Sequence, residues 1–183
     1  MEVTVKMKAN KVWFYSDLLE KNKRIFKVPV YQRKYDWTSI QCKNLYKDII
    51  EASHRNKQHF TGTVVYIEEV NGGSGVGEVL IIDGQQRITS IYILLKALLD
   101  SSEEDEDLQK ELKDILFNRH CDQESKIKLK LIQTDDQELI YLLKNQISKM
   151  NQSNNVYKNY IHFIKLIDNS IKEGKSVKGN LKL

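Results

Sequence analysis

Residues 79–87 read Val-Leu-Ile-Ile-Asp-Gly-Gln-Gln-Arg, and this stretch decides the fold because it joins two kinds of secondary structure. Its aliphatic first part, 79–82, predicts a short β-strand. Apolar residues then recur at helical spacing, which predicts a helix over 85–99. Residues 83–87 therefore form a strand-to-helix junction. A helix N-terminus has free N–H groups and a partial positive charge, so this junction suits an anion such as phosphate.

The composition indicates one globular domain in a reducing compartment. Of 183 residues, 40% are hydrophobic and 30% are charged, which is ordinary for a globular protein. Cys42 and Cys121 give neither a disulfide framework nor a zinc cluster. No apolar run could span a bilayer, and the first residues lack a secretory signal, so we expect a cytoplasmic protein without a membrane partner. The net charge of +4 does not by itself indicate nucleic-acid binding.

Upstream of the junction, the only proline of the chain marks a second polar segment. Pro29 disfavours helix at the residue before it, so Ile25 to Val30 is predicted to be extended. Polar and aromatic residues follow at once in Tyr31-Gln32-Arg33-Lys34-Tyr35-Asp36-Trp37. Thr38–Gln41 has the form of a capping box and predicts a helix to about Arg55. The apolar residues predicted on the inner face of that helix are Cys42, Leu45, Ile49 and Ala52.

A glycine-rich stretch, Asn71–Gly77, lies between predicted strands at 63–67 and 78–82. It superficially resembles a phosphate-binding loop. Such a loop leads into a helix and usually ends in Gly-Lys-Ser/Thr, and neither feature is present. We therefore predict a mobile β-hairpin connection.

The second half of the chain is predicted to be mostly helical. An acidic run at 103–107 precedes a helix that ends near Leu116. Residues 126–131 alternate lysine with aliphatic residues and predict a half-buried strand with its three lysines exposed. A capping box at Thr134–Gln137 predicts another helix. The apolar face predicted for the last helix carries Tyr157, Tyr160, Ile161, Ile164, Ile167 and Ile171. Early strands and later helices indicate an α+β class with a small mixed sheet.

Two motifs of this sequence resemble the N-terminal domain of GmrSD-type proteins, which are modification-dependent restriction factors with relatives in phage defence. They are Val28–Trp37 and, about fifty residues later, Asp83–Ser90. Supporting similarity is found at Phe60–Val64 and Asn155–Tyr160. The resemblance covers nearly the whole chain and implies a single GmrS-like N-terminal domain.

The resemblance implies a ParB/sulfiredoxin-like fold, in which flanking helices and a helical C-terminal part accompany the small mixed sheet. Residues 1–100 would be the ParB-like core with both motifs, 101–172 a mostly helical extension, and 173–183 a tail. Sulfiredoxin-type chemistry needs a cysteine in the motif. None lies near Asp83, so thiol chemistry is not expected.

The activity implied by the resemblance is nucleotide-dependent action on DNA. The family's Asp-Gly-Gln-Gln-Arg motif is associated with binding and hydrolysing a nucleoside triphosphate, and a separate C-terminal HNH nuclease domain cuts the DNA. This chain stops at Leu183 and its four histidines form no His-Asn-His constellation, so on its own it is not expected to be a nuclease. The implied cofactors are Mg²⁺ and a triphosphate, with GTP, UTP and ATP undistinguished.

The expected partners are the nucleotide, the HNH nuclease domain, and DNA through the full-length protein. The sequence leaves open whether the chain forms a homo-oligomer. The alternative is a non-catalytic ParB-like domain that binds DNA or modified DNA.

The side chains of both motifs suit a nucleotide site. An arginine fork matches phosphate oxygens, a glutamine can orient a water molecule, and tyrosine can stack on a base. Asp83 could hold Mg²⁺ or polarise the attacking water. An ion pair between Asp83 and either arginine, bracing the fold, is the structural alternative. The predicted catalytic residues are Asp83, Gln85, Gln86 and Arg87, with Asp83 also the metal ligand. The predicted nucleotide-binding residues are Tyr31, Gln32, Arg33, Tyr35, Gly84, Arg87, Thr89 and Ser90.

Overall fold

The computed structural model describes residues 24–55, 62–69, 76–118, 121 and 126–173. The sequence also predicts a short helix at Asp17–Glu20, and this segment lies outside the described residues, as do most of the glycine-rich connection and the tail after 173. The elements in chain order are β1 (Arg24–Lys27), α1 (Ser39–Arg55), β2 (Val65–Glu69), β3 (Gly77–Asp83), α2 (Gln85–Asp100), α3 (Glu106–Leu116), β4 (Leu129–Lys130), α4 (Gln133–Leu143), a 3₁₀ turn (Ile147–Lys149) and α5 (Asn155–Lys172).

The four strands form one mixed sheet in the order β2-β3-β1-β4. The predicted hairpin is confirmed, since β2 pairs antiparallel with β3. Strand β1 lies parallel to β3 on one side and to β4 on the other. This small mixed sheet with five helices confirms the α+β class and is consistent with a ParB-like fold.

The parallel part of the sheet brings three polar segments to one edge. Strands β3, β1 and β4 run in the same direction, so their carboxyl ends lie side by side. The segments that leave those ends are 83–90, 28–37 and 131–136. In open sheets, ligands bind outside the carboxyl ends of parallel strands. The topology therefore places both motifs, and a third segment that sequence reasoning did not single out, at the preferred position for a site.

Helix α2 lies at the centre of the protein. Every residue from Ile88 to Leu99 is buried, and the helix packs against α3, α4 and α5. A helix that is apolar on all sides is expected in such a position. Even Lys96 is buried, and it bonds to the Asp100 carboxylate and, at 2.6 Å, to Asn145 Oδ1. These contacts satisfy a charge that would otherwise be costly to bury.

The prediction of an exposed lysine face at 126–131 is right for Lys126, which is exposed, but wrong for Lys128, which is buried, and Lys130 is half-buried. Only Leu129–Lys130 forms a strand, and Ile127, Lys128 and Leu129 are all buried. The ammonium of Lys128 donates to the Asp114 carbonyl at 2.6 Å, and burial lowers its pKa. The strict alternation fails because the chain here is covered on both sides.

The two predicted capping boxes had different outcomes. The first is confirmed, because Gln41 Oε1 accepts a hydrogen bond from the Thr38 N–H at 2.9 Å at the start of α1. The second is wrong, since α4 begins at Gln133 after Ile132 and Thr134 lies inside the helix. The carboxylates of Asp135 and Asp136 bind backbone N–H groups outside the helix instead. Asp136 Oδ1, for example, accepts a hydrogen bond from the Leu131 N–H at 2.8 Å.

The inner face of α5 differs in part from the prediction. Ile171 is 46% exposed, and Ile161 and Ile164 are only half-buried. The buried residues are Val156, Asn159, Tyr160, Phe163, Ile167 and Ser170. Two polar side chains thus face the core, and Asn159 leads to the site below. No helix in the described ranges has the length and apolar character needed to cross a membrane.

Candidate functional site

The two motifs meet at the carboxyl edge of the sheet. The Gln32 side chain donates from Nε2 to the Ile82 carbonyl at 2.9 Å, which ties the turn after β1 to the end of β3. From there the chain runs over the first turn of α2 without regular secondary structure until Ser39. We call residues 33–37 the strap, because this extended segment lies across the start of α2.

Both glutamines of the second motif hold the backbone of the strap. Gln86 Oε1 accepts from the N–H groups of Asp36 at 2.9 Å and Trp37 at 3.3 Å, and its Nε2 donates to the Lys34 carbonyl at 2.9 Å. Gln85 Nε2 donates to the Arg33 carbonyl at 3.1 Å. The two side chains are 6% and 7% exposed. Because amides carry both donors and acceptors, they can pair with a main chain as a neighbouring strand would.

Three residues from the second half of the chain also bind the backbone of the strap. Asp135 Oδ2 accepts from the Tyr35 N–H at 2.8 Å. Asn155 Nδ2 donates to the Tyr35 carbonyl at 3.4 Å, and Asn159 Nδ2 donates to the Trp37 carbonyl at 2.7 Å. Side chains therefore bond seven backbone groups of the strap, and among the described residues no backbone–backbone bond involves it.

Sequence reasoning missed Asp135, Asn155 and Asn159. One signal was available, because Asn159 falls within the apolar stripe of an amphipathic helix. A polar residue at such a position must find a buried partner.

A buried chain of hydrogen bonds runs beneath the strap. Asn159 Nδ2 donates to the Tyr35 hydroxyl at 2.9 Å, and that hydroxyl lies 2.6 Å from Ser90 Oγ. Ser90 Oγ donates to the Gln86 carbonyl at 2.9 Å, so the Tyr35 hydroxyl is the donor to Ser90. Burial, together with the nearby Cys42, raises the pKa of Tyr35 well above its usual value. The tyrosine is therefore neutral and links α5 to the first turn of α2.

The N-terminus of α2 has no side-chain cap. Gly84 precedes the helix with a left-handed φ of 91°. Asp83 is exposed, and its Oδ1 accepts from the Gly84 N–H at 2.8 Å. Among the described residues Asp83 makes no ion pair with Arg33 or Arg87, so the bracing pair considered as an alternative is not formed.

Arg87 lies against a glycine that precedes β2. Its Nη1 donates to the Thr63 carbonyl at 3.1 Å. Gly62 has φ of 101°, and a Cβ placed there would come within 2.6 Å of Arg87 Nη2. Because only glycine leaves that space, Gly62 lets the guanidinium lie close against the backbone.

Two residues of the first motif extend into solvent. Tyr31 is 72% exposed. The side chain of Arg33 is 64% exposed and pairs with Asp36 Oδ2 at 2.8 Å, an interaction that water screens. Together with Asp83 and the half-buried Arg87, they form the accessible part of the site.

Other predicted nucleotide-binding residues lie below the surface. Tyr35, Thr89 and Ser90 are 7%, 2% and 0% exposed. Beside them, between Arg33, the glutamines and Asp135, is a cavity of about 10 Å³, which is about the space of one water molecule. A nucleotide would thus lie over the edge of the sheet rather than inside this cavity. The roles predicted for all these residues stay predictions.

Asp83 is the one predicted metal ligand. The described residues contain no group of three or more histidine, cysteine, aspartate or glutamate side chains arranged to hold a metal ion. A single exposed carboxylate beside an anion site fits Mg²⁺, which commonly takes one or two carboxylates and completes its shell with phosphate oxygens and water.

Comparison with known families gives one match. The profile of the family described as "GmrSD restriction endonuclease, N-terminal domain" matches residues 15–181, which includes both motifs and every described element. No curated protein matches the chain.

Proposed function

Because the chain belongs to the family of GmrSD restriction endonuclease N-terminal domains, we propose that it binds a nucleoside triphosphate with Mg²⁺ and hydrolyses it. In this proposal it is the nucleotide-dependent sensor of a restriction or phage-defence protein. DNA cleavage would belong to an HNH nuclease domain elsewhere in the full-length protein.

The observation that carries the proposal is the set of accessible charged side chains around the start of α2, each of which makes one polar contact at the surface. Asp83, Arg87 and Arg33 project near an uncapped helix N-terminus at the carboxyl edge of three parallel strands. Backbone N–H groups would bind phosphate oxygens, and Arg87 would neutralise their charge from the side. Arg33 would add a second cation after leaving Asp36, to which it is bound only at the surface.

In this proposal Asp83 is the residue that serves hydrolysis. Its carboxylate is exposed at the end of β3, directly beside the helix N-terminus that would hold the phosphates. There it would bind Mg²⁺ together with phosphate oxygens, or orient the attacking water. The exposed ring of Tyr31 would stack on the base.

The geometry favours a supporting part for Gln85 and Gln86. Both amides already bond the strap, and Gln86 uses its oxygen as well as its nitrogen, so its oxygen would have to give up a backbone N–H before it could orient a water molecule. In the proposal their side chains fix the strap, while the backbone N–H groups of the same residues face the phosphates. Preorganised donors of this kind lower the cost of binding because they do not need to be ordered first.

The proposal is tested with the purified chain and GTP, UTP and ATP. Calorimetry with non-hydrolysable analogues measures binding, and phosphate release with and without Mg²⁺ measures turnover. Arg87→Ala is expected to weaken binding about 10- to 100-fold, the usual range for losing a charged hydrogen bond. Asp83→Asn is expected to abolish Mg²⁺-dependent turnover while the chain stays folded.

Arg24→Ala serves as the matched control. Arg24 is also a half-buried arginine whose side chain makes one polar contact, to Glu68 of β2, but it lies at the amino end of β1, on the opposite edge of the sheet. Its loss should leave binding unchanged. A wild-type chain that neither binds nor hydrolyses any of the three nucleotides would refute the proposal. If that chain instead bound DNA with an affinity that falls steeply with salt, the ParB-like DNA-binding alternative would replace it.

A further inference from the structure

We propose that Asn159 of α5 is a positioning residue for this site, acting on the nucleotide only through the strap. The inference rests on the proposed function and assigns part of it to a helix that lies outside both motifs. Asn159 is 1% exposed and touches neither Asp83 nor Arg87, so it cannot contact a nucleotide itself.

Asn159 holds the strap at two points with one amide group. Its Nδ2 donates to the Trp37 carbonyl at 2.7 Å and to the Tyr35 hydroxyl at 2.9 Å. An amide nitrogen has two hydrogens, so both are used in a buried setting where water offers no replacement. The strap has no backbone ladder, and α5 holds the carbonyl groups of its carboxyl-terminal part while Gln86 and Asp135 hold the N–H groups.

The position of the strap determines the position of Arg33 and, through the preceding turn, of Tyr31. Both are exposed side chains whose own contacts at the surface are weak. Asp83 and Arg87, by contrast, stand on β3 and α2, which the core holds without Asn159. Loss of Asn159 should thus loosen Arg33 and Tyr31, which would bind the nucleotide, and leave Asp83, assigned to hydrolysis, and Arg87 in place.

The first experiment measures the strap directly. In Asn159→Leu, hydrogen exchange is expected to accelerate about tenfold or more at the amides of Tyr35, Asp36 and Trp37, which donate to Asp135 and Gln86. Amides inside β3 and α4 should keep their rates. Unchanged exchange in the strap, or equal acceleration throughout the core, would overturn the inference.

The second experiment measures turnover. Asn159→Leu is expected to raise KM about tenfold and to keep kcat within about twofold. A variant that merely unfolds in part would lower kcat, because fewer chains are active, at an unchanged KM. That result would also overturn the inference. If the wild type binds nucleotide without turnover, the dissociation constant takes the place of KM.

Two further variants distinguish the proposed effect of Asn159 from a general failure of the variant to fold. Tyr35→Phe removes one of the two acceptors of Asn159, so it should shift exchange and KM in the same direction by a smaller factor. Asn169→Leu makes the same substitution at an exposed position of the same helix and should change neither. If the wild type proves indifferent to nucleotides, the proposed function fails, whereas the exchange experiment still decides whether Asn159 positions the strap.

Discussion

Replacing Gln86 by leucine tests whether the motif glutamine holds the strap. The substitution keeps nearly the same volume and removes three hydrogen bonds, to Lys34, Asp36 and Trp37. Each such bond contributes about 1 kcal/mol net, so the expected loss is about 3 kcal/mol of unfolding free energy. The adjacent Gln85 is equally buried but makes one bond, which predicts a loss of about 1 kcal/mol for Gln85→Leu.

The comparison of the two variants is sharper than either alone. Both exchange glutamine for leucine in the first turn of the same helix, so differences in helix propensity and apolar burial largely cancel. Urea unfolding should give a gap of about 2 kcal/mol between them. In a chain of this length the gap corresponds to a difference of about 4–8 °C in melting temperature. Equal losses, or a larger loss for Gln85→Leu, would show that Gln86 does not carry the strap.

Two further predictions follow from the contacts of Gly62 and His162. Gly62→Ala requires a strained φ and displaces the Arg87 guanidinium, so we expect a loss of about 1–2 kcal/mol in urea unfolding together with weaker nucleotide binding. Unaltered nucleotide binding would contradict the role proposed for Arg87 in that binding. Burial and the charges of Lys43 and Lys165 lower the pKa of His162, so the unfolded chain takes up the proton more readily. The unfolding free energy should therefore fall between pH 7 and pH 5, and His162→Gln should remove that part of the dependence; parallel curves for both proteins would refute it.

The sequence predicted those parts of the fold that depend on local patterns. The apolar run at 85–99 became α2, and the two strands around the glycine-rich stretch became a hairpin. The meeting of the motifs was also foreseeable, since each was placed next to a predicted strand. The family resemblance, confirmed over residues 15–181, agrees with this reading.

The rest depended on contacts between distant residues. The alternation at 126–131 indicates that the lysines share one face of a strand. It cannot show that other residues cover this face at Lys128, so the burial of Lys128 was missed. Glutamine in a motif is compatible with catalysis and with support, and its bonds to Lys34 and Asp36 could not be read from the sequence. Asn159 is separated from Trp37 by 122 residues, and no periodicity links them.

The way the strap is held has a consequence for how the site can change during evolution. Side chains of other segments hold the strap by hydrogen bonds to its peptide groups, which nearly all amino acids share. Arg33, Lys34 and Asp36 point to solvent and can therefore be exchanged without breaking these hydrogen bonds. Proline is barred at 35, 36 and 37, because each of these positions must supply an N–H, and Tyr35 is further constrained by its buried hydroxyl. Such an arrangement lets ligand preference diverge while the scaffold beneath it is conserved.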